Sequence, residues 1–146
     1  MTDKKPDQAK EEQAKKVQQK YLELQLIDQQ MKQVQKQVEA IERQVVELDE
    51  VLQSLDALAT SKSGSEMFVP ITSGIFLKAR LEDNEKLAVN VGSNTVVSKD
   101  IPATKTMLAE QAMDMRKFQT ELAEQFEKMA ERAVGLQKEL QELAGA

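Results

Sequence analysis

The chain has no cysteine, no histidine and no tryptophan. Its 146 residues hold only five glycines, three prolines, four phenylalanines and one tyrosine. Each shortage excludes something. Without cysteine there are no disulfides and no thiolate metal sites, which fits a cytoplasmic protein. Without histidine the commonest general base and metal ligand is missing. The glycines never align as G-x-x-x-x-G-K or G-x-G-x-x-G, so no phosphate cradle is present. No run of about 18 apolar residues exists, so no membrane span is expected. The N-terminus is charged from its start, so no signal peptide is expected either. At a net charge of −5 the chain lacks the basic face of a nucleic-acid binder. Asp83 and Glu85 flank a turn and read as turn polarity, not as a cation site. No catalytic, cofactor-binding or metal-ligating residue can be named, no cofactor is expected, and the expected class is a binding protein, not an enzyme.

What is present is a pair of heptad stripes. The first reads Val17, Leu24, Ile27, Met31, Val34, Val38, Ile41, Val45, Leu48, Leu52, Leu55, Ala59. The second reads Ile101, Leu108, Ala112, Met115, Leu122, Phe126, Met129, Ala133, Leu136, Leu140, Leu143. Both step by threes and fours, the spacing that keeps an apolar seam against a partner helix. Positions whose numbers add to 160 match one another: Leu24 with Leu136, Ile27 with Ala133, Met31 with Met129, Val34 with Phe126, Val38 with Leu122, Val45 with Met115, Leu52 with Leu108. A mirrored pattern of this kind lets a chain fold back on itself as a long antiparallel coiled-coil hairpin. The predicted organisation is a flexible polar tail over 1–9, a first helix over 10–59, a β module over 66–99 and a second helix over 101–146. Fifty residues of helix would extend for about 75 Å, a length that needs a partner. Asp100 is positioned to cap the second helix, with Pro102 in its first turn.

Between the helices the period changes from 3.5 to 2. Ile75, Leu77, Ala79 and Leu81 share one face, and after Glu82-Asp83-Asn84-Glu85 so do Leu87, Val89 and Val91. This predicts a hairpin across the 82–85 turn. Met67–Ile71 and Thr95–Lys99 read as further strands, with Gly92-Ser93-Asn94 as a tight turn and Pro70 at an edge or bulge. So short a β segment cannot close a core alone, and its outer strands would keep unpaired backbone groups. It therefore reads as an assembly module completed by other subunits, with a small cap on the coil as the alternative. The assembly candidates are Met67, Phe68, Val69, Ile71, Ile75, Phe76, Leu77, Leu87, Val89, Val91, Val96 and Val97.

The segments Val69-Pro70-Ile71-Thr72-Ser73-Gly74-Ile75-Phe76, Lys86-Leu87-Ala88-Val89-Asn90-Val91-Gly92-Ser93-Asn94 and Val96-Val97-Ser98-Lys99 resemble the α-class subunit of prefoldin. The resemblance extends over the whole chain, because that class is a helix, two β-hairpins and a helix. Thr72-Ser73 stands where many archaeal members carry a glycine pair, and Asn94 where a second glycine is common. Asn tolerates the left-handed turn. Thr-Ser after the proline is also similar to the eukaryotic α-class subunit 5.

The resemblance implies a mainly α chain whose two β-hairpins, at the bend of the coil, join an intersubunit β-barrel. The implied complex is a cytoplasmic hexamer of two α-class and four β-class subunits. Its coiled-coil tips would hold unfolded client proteins without ATP and deliver them to a group II chaperonin. The alternative is a prefoldin-like structural or scaffold subunit that forms filaments or serves an adaptor complex.

Within the coil, Ile41 faces Gln119, a polar defect that Phe118 is expected to relieve. Lys20 faces Leu140 and Val17 faces Leu143, so the seam is expected to loosen there. Gly135 weakens the last turns by about 1 kcal/mol relative to Ala. Val17, Tyr21, Leu22, Leu136, Leu140 and Leu143 are the client-binding candidates.

Overall fold

The structure is a computed structural model and describes residues 6–145. Its elements in chain order are α1 (Pro6–Thr60), β1 (Glu66–Thr72), β2 (Ile75–Arg80), β3 (Leu87–Asn90), β4 (Val96–Lys99) and α2 (Ile101–Gly145). Helix α1 is built of Gln, Lys, Glu, Ala and Leu, all strong helix formers, without an internal glycine or proline. It begins earlier than expected. Pro6 takes the first helical position, where its missing N–H costs nothing, and Asp7 follows in the first turn, where the helix dipole favours an acid. Residues 6–9 of the expected tail are therefore helical, while residues 1–5 and 146 lie outside the described residues. Among the described residues no helix is long and apolar enough to cross a membrane.

The chain divides into two compact units. One holds Met1–Glu42 and Lys117–Ala146, the other Arg43–Arg116. In the first, Ile27, Val34 and Ile41 of α1 and Leu122, Ala133, Leu136 and Leu140 of α2 are buried. Ile27, Ala133 and Leu136 form a cluster closed by Leu24, Met31 and Met129. These six residues are three consecutive layers of the mirrored pairing. The helices run antiparallel, tied by Glu23 to Arg132 at 2.9 Å, Lys20 to Glu139 at 2.5 Å, and the Gln13 amide to the Leu143 carbonyl at 3.1 Å. Gln119 is half-buried, and Phe118 does not relieve it: that ring is 50% exposed, because its position falls off the seam.

In the second unit Val45 and Leu55 of α1 and Ile101 and Ala112 of α2 are buried, with Thr104 as the buried polar residue. The Thr104 hydroxyl is satisfied by the Asp100 carbonyl at 2.8 Å. Ala59, expected in the seam, is exposed, and Leu58 is half-buried instead. Ion pairs join Asp49 to Arg116 at 3.2 Å and Asp56 to Lys105.

The strands form two separate antiparallel sheets, β1 with β2 and β3 with β4. The predicted hairpin across 82–85 is thus corrected: β2 returns on β1 through Ser73-Gly74, where Gly74 adopts φ +82°. The intervening Asn84 explains why. Its carboxamide nitrogen lies 3.0, 3.3 and 3.1 Å from the carbonyls of Leu58, Ala59 and Ser61, so the 82–85 segment caps the end of α1 instead of reversing a ribbon. The second hairpin turns where expected. Ser93 and Asn94 both have positive φ, 50° and 57°, the signature of a type I′ turn, and Thr95 N–H closes it on Gly92 O at 2.9 Å. Asp100 caps α2 as expected, accepting from the Ala103 N–H at 2.8 Å.

Candidate functional site

Two surfaces carry the expected residues. The first is the β module. In the β1–β2 register Val69 faces Leu77, Met67 faces Ala79, Phe68 faces Lys78 and Pro70 faces Phe76, with a bulge between Pro70 and Thr72. Alternation places Met67, Val69, Leu77 and Ala79 on one side and Phe68, Pro70 and Phe76 on the other. Both sides are exposed: Phe68 is 71% open, Phe76 60%, Leu77 57%. Val69, Ile71 and Ile75 are likewise exposed, and Met67 is half-buried. Glu66 pairs with Lys78 at 3.3 Å and Arg80 at 3.8 Å on the phenylalanine side. In the second hairpin Leu87 faces Lys99 and Val89 faces Val97; these four are half-buried, whereas Val91 and Val96 are exposed. Each strand pairs with one neighbour among the described residues, so each keeps one open edge. A two-stranded ribbon with apolar residues on both sides and open edges leaves backbone groups and apolar surface exposed, which such ribbons rarely sustain alone.

The second surface lies in the first unit, where the client candidates separate into two groups. Leu136 is 0% exposed and Leu140 8%; they are part of the seam and present little surface while the helices are paired. Val17 and Leu143 are half-buried. Tyr21 and Leu22 are 54% and 60% exposed, joined by Leu26 at 54%, which the sequence reading missed. Its signal was available: Leu26 stands four residues after Leu22, outside the heptad stripe, so both leucines share the outer side of α1. A groove of about 290 Å³ runs between Tyr21, Leu24, Gln137, Leu140, Gln141 and Ala144.

The seam does not loosen at Lys20 as expected. The half-buried lysine places its ammonium on Glu139 of the opposite helix. That short hydrogen bond, with the charge of Lys20 and then of Arg132, holds the Glu139 carboxyl below its ordinary 4.5 against a small opposing effect of burial. Among the described residues no group of three or more His, Cys, Asp or Glu is placed to hold a metal ion.

Antiparallel helices interrupted by two exposed two-stranded hairpins define a class: a coiled-coil chain with a small β module. The prefoldin subunit family model matches residues 27–146. The chain belongs to the prefoldin family. It is 29% identical over 126 residues to prefoldin subunit alpha of Methanococcus aeolicus, a match covering 86% of this chain and 85% of that one. It is 28% identical over 131 residues to prefoldin subunit alpha 1 of Methanocaldococcus jannaschii, covering 90% and 89%. A chain from the cryo-EM structure of filamentous prefoldin from Methanocaldococcus jannaschii shares the fold, with a TM-score of 0.74 at 17% identity, over 82% of this chain and 98% of that one. Helix, two hairpins and helix make this an α-class layout, and the role that goes with membership is that of a chaperone-type subunit.

Proposed function

We propose that this chain is the α-class subunit of an ATP-independent holdase. Its β module joins a second α-class copy and four β-class subunits, and its helix ends hold unfolded proteins for delivery to a group II chaperonin in the cytoplasm. The observation that carries this reading is the β module: two ribbons with open edges and exposed Phe68, Phe76, Ile71 and Ile75, on a chain of the prefoldin family. The exposed Tyr21, Leu22 and Leu26 supply the apolar grip. A few hundred Å² of contact at about 25 cal/mol/Å² gives several kcal/mol before entropy costs, and multivalency among arms raises the overall hold. Weak individual grips suit a protein that must release its client.

Native mass spectrometry with and without a β-class subunit tests the assembly. A closed hexamer in the mixture is the expected result. Open polymers of this chain alone favour the second reading, a filament-forming or adaptor scaffold, which draws support from the same open edges and from the filamentous relative. Client binding is tested by replacing Tyr21, Leu22 and Leu26 together with serine. Aggregation of a denatured model client should then be suppressed several-fold less well. Full suppression by a variant of unchanged helicity would remove this surface from the mechanism.

A further inference from the structure

The cluster around Leu136, the fully buried large side chain of the described residues, contains two methionines. Met31 of α1 and Met129 of α2 occupy one layer of the mirrored pairing and pack on Ile27, Ala133 and Leu136. Both are half-buried, so their sulfurs are shielded but not sealed from a small oxidant. The side chains grouped with them are all apolar. Other methionines sit differently: Met113 is 57% exposed, and Met115 is matched with Val45 in the mirrored pattern, not with another sulfur.

We propose that Met31 and Met129 form an oxidation-sensitive latch, whose conversion to sulfoxides opens the coil around Leu136 and enlarges the apolar surface offered to a client. The oxidant is a peroxide. Each thioether sulfur attacks one peroxide oxygen, the O–O bond breaks, sulfur loses two electrons to form S=O, and the other oxygen leaves as water with both protons. The product is a polar, chiral group in place of a pliant apolar one. Leu24, Ile27, Ala133 and Leu136 offer no side-chain donor to it, and a buried polar group without a partner is costly. Two sulfoxides in one layer place two such groups against the same apolar cluster, which opens so that water can reach them. Gly135, beside Leu136, lowers the local helix propensity and eases the opening. Sulfoxide reductases reverse the modification, so the latch resets.

The gain in client surface rests on the holdase reading; the opening does not. The test uses the full-length chain in its native assembly, treated with dilute hydrogen peroxide, with oxygen uptake at each methionine followed by peptide mass mapping. Conversion of Met31 and Met129 should lower the coil's Tm by roughly 5 °C or more. It should also raise binding of an apolar dye and strengthen client suppression about twofold, all reversed by a methionine sulfoxide reductase. The double variant M31L/M129L, close in volume, should fold and lose the response, whereas M113L should keep it. Each single variant should show about half the fall in Tm, which guards against misfolding of the double. A Tm unchanged with both sulfurs oxidised, or a fall that persists in M31L/M129L, overturns the proposal. A fall in Tm with unaltered client suppression leaves the opening in place and counts against the client reading of this surface.

Discussion

Lys20 stands at a seam position, and its behaviour shows how a single long side chain settles a mismatch. The half-buried side chain bonds its ammonium to Glu139, which in turn lowers the glutamate's pKa. The sign of the linkage follows. A carboxyl held below its ordinary value in the folded chain contributes stability that is complete above about pH 4.5. That contribution is lost as pH falls through the lowered value. Lys20→Met should remove this part of the acid sensitivity, measured as a smaller drop in Tm between pH 6 and pH 3.5. Gly135 is a second residue with a readable consequence. Nothing lies within 4 Å of where its Cβ would stand, and its φ is not positive. Gly135→Ala should therefore raise stability by roughly 0.5–1 kcal/mol in urea melts. Asn84 acts the other way. Asn84→Ala leaves the Leu58, Ala59 and Ser61 carbonyls without its amide and should cost about 1 kcal/mol or more by the same measurement.

At the scale of elements, caps and layers decide where the helices stop and what holds them together. Asp100 ends the β module and starts α2 with one carboxylate, so Asp100→Ala should cost about 1 kcal/mol and fray the first turn, visible as faster amide exchange at Ala103 and Thr104. Leu136 carries the core of the first unit. Leu136→Ala removes its fully buried side chain and should destabilise by about 2–5 kcal/mol in chemical melts, with a loss of helical signal beginning at lower denaturant. The two hairpins differ in how they turn. Ser93-Asn94 adopts positive φ at both central positions despite having no glycine there, while Ser73-Gly74 places its glycine at the single position that needs one.

For the molecule as a whole, the imbalance between helices and strands matters most. The helices cover their apolar stripes within each unit, whereas the ribbons leave Phe68, Phe76, Leu77, Ile71 and Val96 in the open. Removing that surface should change assembly and not folding. Phe68→Ser with Phe76→Ser is expected to shift the sedimentation profile toward the free chain while the far-ultraviolet helical signal stays within about a tenth of its original value. Loss of helix in step with loss of assembly would mean that the ribbons also support the coil.

The sequence by itself determined the elements, the facing layers Leu24–Leu136, Ile27–Ala133 and Met31–Met129, the cap at Asp100 and the turn at Ser93-Asn94. Each of these follows from a local period or local hydrogen bonding, which residue spacing records directly. Only the tertiary structure decided that β2 pairs with β1, because a backbone donor or acceptor carries no mark of which edge it will meet. The Asn84 clamp on α1 depends on a contact 26 residues away in the chain, which periodicity does not register. The client candidates divide in the same way. Periodicity put Leu136 and Leu140 inside the stripe and left Tyr21 and Leu22 outside it, but only the packed pair decided that the seam stays closed over both leucines, because burial depends on how side chains of two distant segments fill the space between them.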